Sequence, residues 1–81
     1  MSYYASMAAQ LQSRLARRAS QISLNVLWRD GYRALKRVKD LRETKALLRE
    51  LDKQQKLDTQ LLKLVQHEIR NELFYYELKS F

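Results

Sequence analysis

Apolar residues recur every three or four positions along most of the chain, which is the spacing of one face of an α-helix. Leu, Gln, Lys, Arg, Glu and Ala dominate, and these residues lose little freedom on entering a helix. The absence of Pro and the single Gly argue against a turn-rich all-β fold. We therefore predict one all-α domain over residues 1–81. Its expected form is an extended antiparallel helical hairpin or three-helix bundle with an amphipathic N-terminal helix.

Residues 1–23 are predicted to form that amphipathic basic helix. Its apolar side consists of Tyr4, Ala8, Leu11, Leu15 and Ile22. Arg18 falls on the same side and interrupts it. No acid precedes Asp30, and an amphipathic start that is rich in Arg and Ser but poor in acids is typical of a mitochondrial targeting segment. A plain structural helix and a helix lying on an anionic membrane surface are the alternatives.

A second helix is predicted over residues 24–51, where apolar residues continue at near-heptad spacing. Its stripe consists of Leu24, Leu27, Trp28, Leu35, Val38, Leu41, Leu48 and Leu51. Lys45 occupies one slot where an apolar residue is expected. The Asp30-Gly31 dipeptide is a turn signal, so the chain either breaks there or keeps Gly31 helical because another backbone or a ligand comes close. We predict the continuous helix.

A loop over residues 52–58 and a third helix over residues 59–78 complete the predicted fold, with Asp58 or Thr59 as the N-cap. One apolar seam of the third helix consists of Leu62, Val65, Ile69, Leu73 and Tyr76. A second seam consists of Leu57, Leu61, Leu64, Phe74 and Leu78. One antiparallel neighbour covers only one seam, so the other must meet the first helix or another protein.

The carboxyl-terminal tail is aromatic. It contains Phe74, Tyr75, Tyr76, Leu78 and Phe81 within eight residues. Because Tyr and Phe are enriched in interface cores, we expect these side chains to bind a partner. The alternative is that they close the protein's own core.

The composition excludes several kinds of site. The chain has no Cys and one His, His67, so we expect no disulfide and no metal site. The nine acids are scattered among more numerous basic residues, and no glycine-rich phosphate loop is present. We therefore predict no enzyme activity and no cofactor. No uncharged run approaches the ~18 apolar residues that a membrane-spanning helix needs.

The net charge of +7 suggests an anionic partner. Basic residues form a flank on the predicted second helix that could neutralise phosphates. Its members are Arg33, Lys36, Arg37, Lys39, Arg42 and Arg49. Contact with RNA, an acidic protein or anionic lipid is therefore one expectation. A solvated helix face is the other.

The segment GYRALKR, residues 31–37, resembles the signature of the LYR-motif family of small basic mitochondrial proteins. Tyr32, Arg33, Leu35 and Arg37 match the motif, while Gly31 stands in place of its leading Leu and Lys36 where Leu is usual. An alternative register, LWR at residues 27–29, keeps the Leu and Arg but has Trp in place of Tyr. The segment IRNEL, residues 69–73, is similar to a downstream part of the same signature. The resemblance implies a three-helix fold that binds an acylated acyl carrier protein, with Tyr32, Arg33 and Arg37 facing its acidic surface.

From these observations we expect a non-catalytic accessory or scaffold subunit of a large mitochondrial assembly, such as a respiratory complex or the ATP synthase. It would act through helix–helix contacts in the matrix or on the matrix face of the inner membrane. An RNA-contacting mitochondrial ribosomal protein and an adaptor that binds acyl carrier protein are the alternatives.

Overall fold

The structure is a computed structural model in which the backbone of residues 3–79 and the side chains of residues 3–74 are described. Two long α-helices make up this part of the chain, α1 (Tyr3–Ala34) and α2 (Val38–Lys79). They lie antiparallel along their length and form a rod of 67 × 15 × 15 Å. The all-α prediction and the antiparallel hairpin are confirmed. The three-helix bundle is not supported, since the described residues contain only two helices.

The predicted boundaries within the chain were wrong. The chain reverses at residues 35–37, inside the helix predicted over 24–51, and residues 52–58 are helical rather than a loop. The predicted loop contains Lys and Gln but neither Gly nor Pro, so nothing in it opposes a helix. The helix does continue through Asp30-Gly31 as predicted, so the turn signal there is not used. A Cβ added to Gly31 would meet no described atom within 4 Å beyond its own stretch of helix, so no described segment approaches it closely.

The reversal at the end of α1 is a Schellman motif. The amide of Arg37 donates to the carbonyl of Tyr32 at 2.9 Å, and the amide of Lys36 donates to the carbonyl of Arg33 at 3.2 Å. Lys36 has a φ of 57°, the left-handed conformation that this motif requires. The guanidinium of Arg37 lies 5.6 Å from the centre of the Tyr32 ring, where the motif usually has an apolar contact. The stretch GYRALKR thus forms the end of α1 and the connection to α2.

The first turn of α2 is held by the same arginine. The carbonyl of Arg37 accepts a hydrogen bond from the amide of Leu41 at 2.9 Å, which makes Arg37 the N-cap residue. Its guanidinium is 2.7 Å from the carboxylate of Asp40. A carboxylate in the first turn also interacts favourably with the helix dipole.

The helices meet along a heptad seam in which we letter the facing positions a and d. In α1 the seam positions are Tyr4, Ala8, Leu11, Leu15, Arg18, Ile22, Asn25, Arg29 and Tyr32. In α2 they are Leu41, Thr44, Leu48, Leu51, Gln55, Asp58, Leu62, Val65, Ile69 and Glu72. Every one of these residues is buried or half-buried. The seam therefore accounts for the interface between α1 and α2.

The apolar core is small and lies where the start of α1 meets the second half of α2. Ala8, Leu11 and Val65 are buried there, and Leu62 and Ile69 pack against them. Toward the turn, Asn25 and Arg29 replace apolar residues in the seam. The core is therefore apolar mainly at one end of the rod.

Several residues of the predicted apolar stripes do not face the seam. The predicted apolar side of the first helix does face the seam. In α2, so do Leu62, Val65 and Ile69, as predicted. The exposed members of the stripe predicted over residues 24–51 are Leu24, Leu27, Trp28, Leu35 and Val38, and Leu73 is exposed in the first seam of the predicted third helix. Because the turn lies at residues 35–37, α1 and α2 have independent heptad registers, and a single stripe cannot run through both.

Candidate functional site

A polar layer interrupts the seam near the middle of the rod. Arg18 donates to Asp58 at 2.6 Å and to the side chain of Gln55 at 3.1 Å. Arg14 adds two hydrogen bonds to Asp58, at 3.0 and 2.9 Å. Gln55 also donates to the backbone carbonyl of Leu15 at 3.0 Å, so the layer joins both helices.

Asp58 is largely withdrawn from water, and only 15% of its side chain and 11% of that of Arg18 are exposed. The hydrogen bond from Arg18 lowers the pKa of the Asp58 carboxyl below its usual value of 3.8, and Arg14 lowers it further, although burial opposes them. Asp58 is therefore an internal ion-pair partner. The prediction that Asp58 or Thr59 is an N-cap was wrong, because both residues lie in the middle of α2. The hydroxyl of Thr59 donates to the carbonyl of Gln55.

The seam divides the rod into two long faces. In an antiparallel pair, the g positions of both helices border one side and the e positions border the other. Three depressions agree with this assignment, because Met7 and Arg14 lie beside Leu61, Gln21 lies beside Gln54, and Arg33 lies beside Lys45. The sides have different chemistry.

The side formed by positions c and g is the apolar face. Eight of the twelve large hydrophobic side chains that are exposed among the described residues belong to it. They are Tyr3, Leu24, Trp28, Leu35, Leu47, Leu57, Leu61 and Leu64. Leu57, Leu61 and Leu64 belong to the predicted second seam of the third helix, which the structure leaves uncovered by α1.

Charges on the apolar face differ between the helices. The c and g positions of α1 carry Arg14 and Arg17 and no acid. Those of α2 carry no base, and their acids are Asp40, Glu43, Glu50 and Glu68. One half of this face is thus basic and the other half acidic.

The side formed by positions b and e is the basic face. A cation occupies every b position of α2 from residue 42 to residue 70, and all five are exposed. They are Arg42, Arg49, Lys56, Lys63 and Arg70. Seven residues of helix advance about 10 Å, so the row extends over about 40 Å. Asp52 is the one acid of α2 at these positions within the described side chains, and it pairs with Lys56 at 3.1 Å.

The basic face is most concentrated near the turn. Arg29, Arg33, Lys45 and Arg49 surround Leu48 in a shallow depression of about 340 Å³. Arg33 and Arg49 were predicted to contact a partner, and the structure brings them together. Lys45 was not predicted to belong to the basic flank, because it occupies a slot of the apolar stripe predicted over residues 24–51.

Other predicted contact residues have different surroundings. Tyr32 is half-buried, and its ring stacks on Trp28 with centres 5.7 Å apart. Phe74 is 62% exposed, whereas the side chains of Tyr75, Tyr76, Leu78 and Phe81 lie outside the described residues. Lys36 lies in the turn and Lys39 in the first turn of α2, while Arg42 belongs to the row of cations.

The comparisons with known proteins add no relative. Neither the family profiles, nor the curated protein sequences, nor the solved structures contain a match to this chain. Within the described residues, no cluster of three or more His, Cys, Asp or Glu side chains could hold a metal ion. The helices of that part of the chain also lack a segment long and apolar enough to cross a membrane.

Proposed function

We propose that the protein is a non-catalytic scaffold or accessory subunit that acts by helix–helix contact. Its assembly would be a large mitochondrial complex, such as a respiratory complex or the ATP synthase. The observation that supports this most is the apolar face, where most of the exposed large hydrophobic side chains lie on one side of the rod. Exposed apolar side chains gathered on one side of a protein are typical of protein interfaces.

The size of the core supports the same proposal. Among the described residues, Ala8, Leu11 and Val65 are the buried hydrophobic side chains, which is little for two helices of 32 and 42 residues. Small chains with a limited core usually gain further stability from a disulfide, a metal or association. This chain has no Cys, so association is the remaining source. The mitochondrial location rests on the acid-free, Arg-rich start of α1.

A native pull-down from mitochondria tests the proposal. We expect the carboxyl-tagged chain to recover one defined set of proteins in moderate salt, and Leu57→Ser with Leu64→Ser to lose them. Both leucines are more than half exposed, so their replacement should not disturb the seam. The matched control is Leu27→Ser with Leu73→Ser, which removes two exposed leucines outside the apolar face. Equal recovery by both variants would reject the apolar face as the contact surface.

A second candidate function is the binding of an anionic partner through the basic face. The row of exposed cations at seven-residue intervals on α2 favours it. Both alternatives from the sequence, ribosomal RNA and the acidic surface of acyl carrier protein, would use this face. For acyl carrier protein, the depression around Leu48 would supply the basic groups, with Arg33 at its rim.

Separate titrations with the two anions distinguish these alternatives. A labelled structured RNA and purified acyl carrier protein would each be titrated with the chain in moderate salt. An adaptor should bind acyl carrier protein and lose it in the double variant Tyr32→Ala with Arg33→Ala, whereas an RNA-contacting protein should retain RNA in that variant. Binding of neither anion would reject this candidate and leave the apolar face as the functional surface.

A further inference from the structure

We infer that the turn end of the rod, residues 27–45, inserts into the surface of a membrane that contains anionic phospholipid. The rod would stand on this end, with about 10 Å of it among the headgroups and the outermost part of the acyl chains. This inference goes beyond the proposed function, because it assigns a partner to one end of the rod rather than to the length of the apolar face. The exposed apolar side chains, the charge and the backbone of the turn end support it.

Exposed apolar side chains surround the turn end. Leu35 is 70% exposed in the connection between the helices, and Val38 is 59% exposed in the first turn of α2. Leu27 and Trp28 are also more than half exposed, about 10 Å from the connection. Trp28 and Leu35 belong to the apolar face, whereas Val38 is at an e position and Leu27 at an f position. The four side chains thus lie on different sides of the rod, and no single helix packed along it could cover them all.

The shape of this end favours lipid over a protein surface. A flat protein surface laid across the 15 × 15 Å end would cover about 200 Å², whereas a standard interface buries about 800 Å² on each partner. A lipid surface surrounds an inserted end on every side, so it can cover apolar side chains that lie on different sides of the rod. At an insertion of about 10 Å, Trp28 would lie among the headgroups, where Trp is enriched.

Positive charge is concentrated at the same end. Residues 29–45 contain seven bases and three acids, and two of the acids are paired with arginines of the same segment. Five exposed bases of the segment form no ion pair with a described residue. They are Arg33, Lys36, Lys39, Arg42 and Lys45. At the opposite end, residues 3–12 and 61–74 contain two bases and two acids. Anionic headgroups would therefore attract the turn end much more strongly than the other end.

The backbone of the connection is suited to leaving water. The amides of Leu35, Lys36 and Arg37 donate to carbonyls of α1 at 3.0, 3.2 and 2.9 Å. An amide without a partner opposes transfer out of water. The three amides of the connection already have partners inside the protein, so their insertion does not incur this cost.

Lys36 also fits a membrane contact. Its φ of 57° is the left-handed conformation for which Gly is usual at the end of a helix. A lysine at this position keeps an ammonium at the tip of the rod. Its long apolar stem would lie along the inserted surface while the ammonium reaches the headgroups. Contact with anionic lipid thus accounts for a side chain that the backbone conformation disfavours.

The fluorescence of Trp28, the one Trp of the chain, tests the inference first. The full chain would be titrated with vesicles of phosphatidylcholine alone and with vesicles that also contain about one-third phosphatidylglycerol. We expect the emission to shift to shorter wavelength, and to be quenched by brominated lipid, with the anionic vesicles only. Unchanged emission with both kinds of vesicle would overturn the inference. Co-sedimentation with anionic vesicles without a shift in emission would also overturn it, because charge alone would then hold the chain on the surface.

Serine variants separate the turn end from the rest of the apolar face. Leu35→Ser with Val38→Ser should weaken binding to anionic vesicles about tenfold or more, because both side chains leave water on binding. The matched control is Leu57→Ser with Leu64→Ser, which changes two exposed side chains about 30–40 Å from the connection and should bind as the wild type does. Circular dichroism would show that both variants remain helical. Equal weakening by the two variants would overturn the assignment to the turn end.

A pair of single charge variants tests the role of Lys36. Lys36→Gln should weaken binding to anionic vesicles about fivefold, which is the usual effect of one cation at such a surface. Lys53→Gln removes the same charge from an exposed position in the middle of α2 and should have little effect. Equal weakening by both would mean that net charge, and not the tip of the rod, attracts the lipid.

Labels at single cysteines test whether the rod stands or lies on the membrane. Because the chain has no Cys, Leu35→Cys and Leu57→Cys each provide a unique site for a dye that reports the polarity around it. On binding to anionic vesicles, the dye at residue 35 should enter an apolar environment, while the dye at residue 57 should remain in water. An apolar signal from both sites would mean that the rod lies flat on its apolar face, which would overturn the standing arrangement.

Discussion

Lys36 adopts a backbone conformation that costs free energy for any residue with a side chain. Its φ of 57° is in the left-handed region, which costs about 1 kcal/mol for a residue other than Gly. We expect Lys36→Gly to raise the free energy of unfolding by about 1 kcal/mol because Gly adopts this conformation without strain. Chemical denaturation measures the change.

The control for Lys36→Gly is the same substitution inside a helix. Lys53 is exposed in the middle of α2, where Gly should lower the free energy of unfolding by about 1 kcal/mol. Opposite signs for the two substitutions would confirm that backbone conformation decides the effect. A loss of stability at both positions would show that the lysine side chain of residue 36 stabilises the turn.

Asp58 should make the stability depend on pH in the acid range. The hydrogen bond from Arg18 holds its pKa below 3.8 in the folded protein, so the folded state keeps the carboxylate ionised more strongly than the unfolded state does. Its contribution is complete above the unfolded-state pKa and is lost as the pH falls through the lower, folded-state pKa. Thermal unfolding between pH 7 and pH 2 should therefore show a smaller acid loss for Asp58→Asn than for the wild type. Identical acid dependence in the two proteins would contradict this ion-pair role.

The polar layer also shows which parts of the fold could be predicted from the sequence. The periodicity predicted helices and the apolar side of α1 correctly, because that side follows from spacing within one helix. Arg18 was treated as an interruption, since its partner Asp58 is 40 residues away. A heptad count continued through α2 would have placed Gln55 and Asp58 in the seam that faces Arg18. The loop predicted over residues 52–58 interrupted that count.

The turn could not be located for a different reason. Asp30-Gly31 is the strongest turn signal in the chain, and local preference favours a reversal there. The reversal instead occurs at residues 35–37, where a lysine takes the left-handed conformation. A turn at this position lets both helices extend and lets Tyr32 and Leu41 end the seam together. Tertiary packing thus outweighs both the local preference for a turn at Asp30-Gly31 and the strain at Lys36.

The seam and the exposed surface of α1 should respond differently to the same substitution. Leu11 is 3% exposed in the apolar core, so Leu11→Ala should lower the free energy of unfolding by about 2–3 kcal/mol. Leu27 is 70% exposed on the same helix and outside the apolar face, so Leu27→Ala should change it by less than about 0.5 kcal/mol. Urea denaturation of both variants measures the difference. Equal losses would mean that Leu27 is covered in solution.

Along the length of the rod, the two proposed kinds of contact use different faces. Leu57, Leu61 and Leu64 are exposed on the apolar face, and the row of cations from Arg42 to Arg70 lies on the other side of the seam. The two proposals, protein contact and binding of an anion, are therefore compatible, and a variant in one face should leave the other intact.

Binding of RNA through the basic face should depend steeply on salt. Each cation that neutralises a phosphate contributes about 0.7–0.9 to the slope of log K against log salt concentration. Lys56→Gln with Lys63→Gln removes two members of the row and should reduce the slope by about 1.5. The control is Arg17→Gln with Lys36→Gln, which removes the same charge from the apolar face and the turn. Filter binding at several salt concentrations measures the slopes. If the two double variants reduce the slope equally, the attraction comes from net charge, and the row on α2 is a solvated helix face.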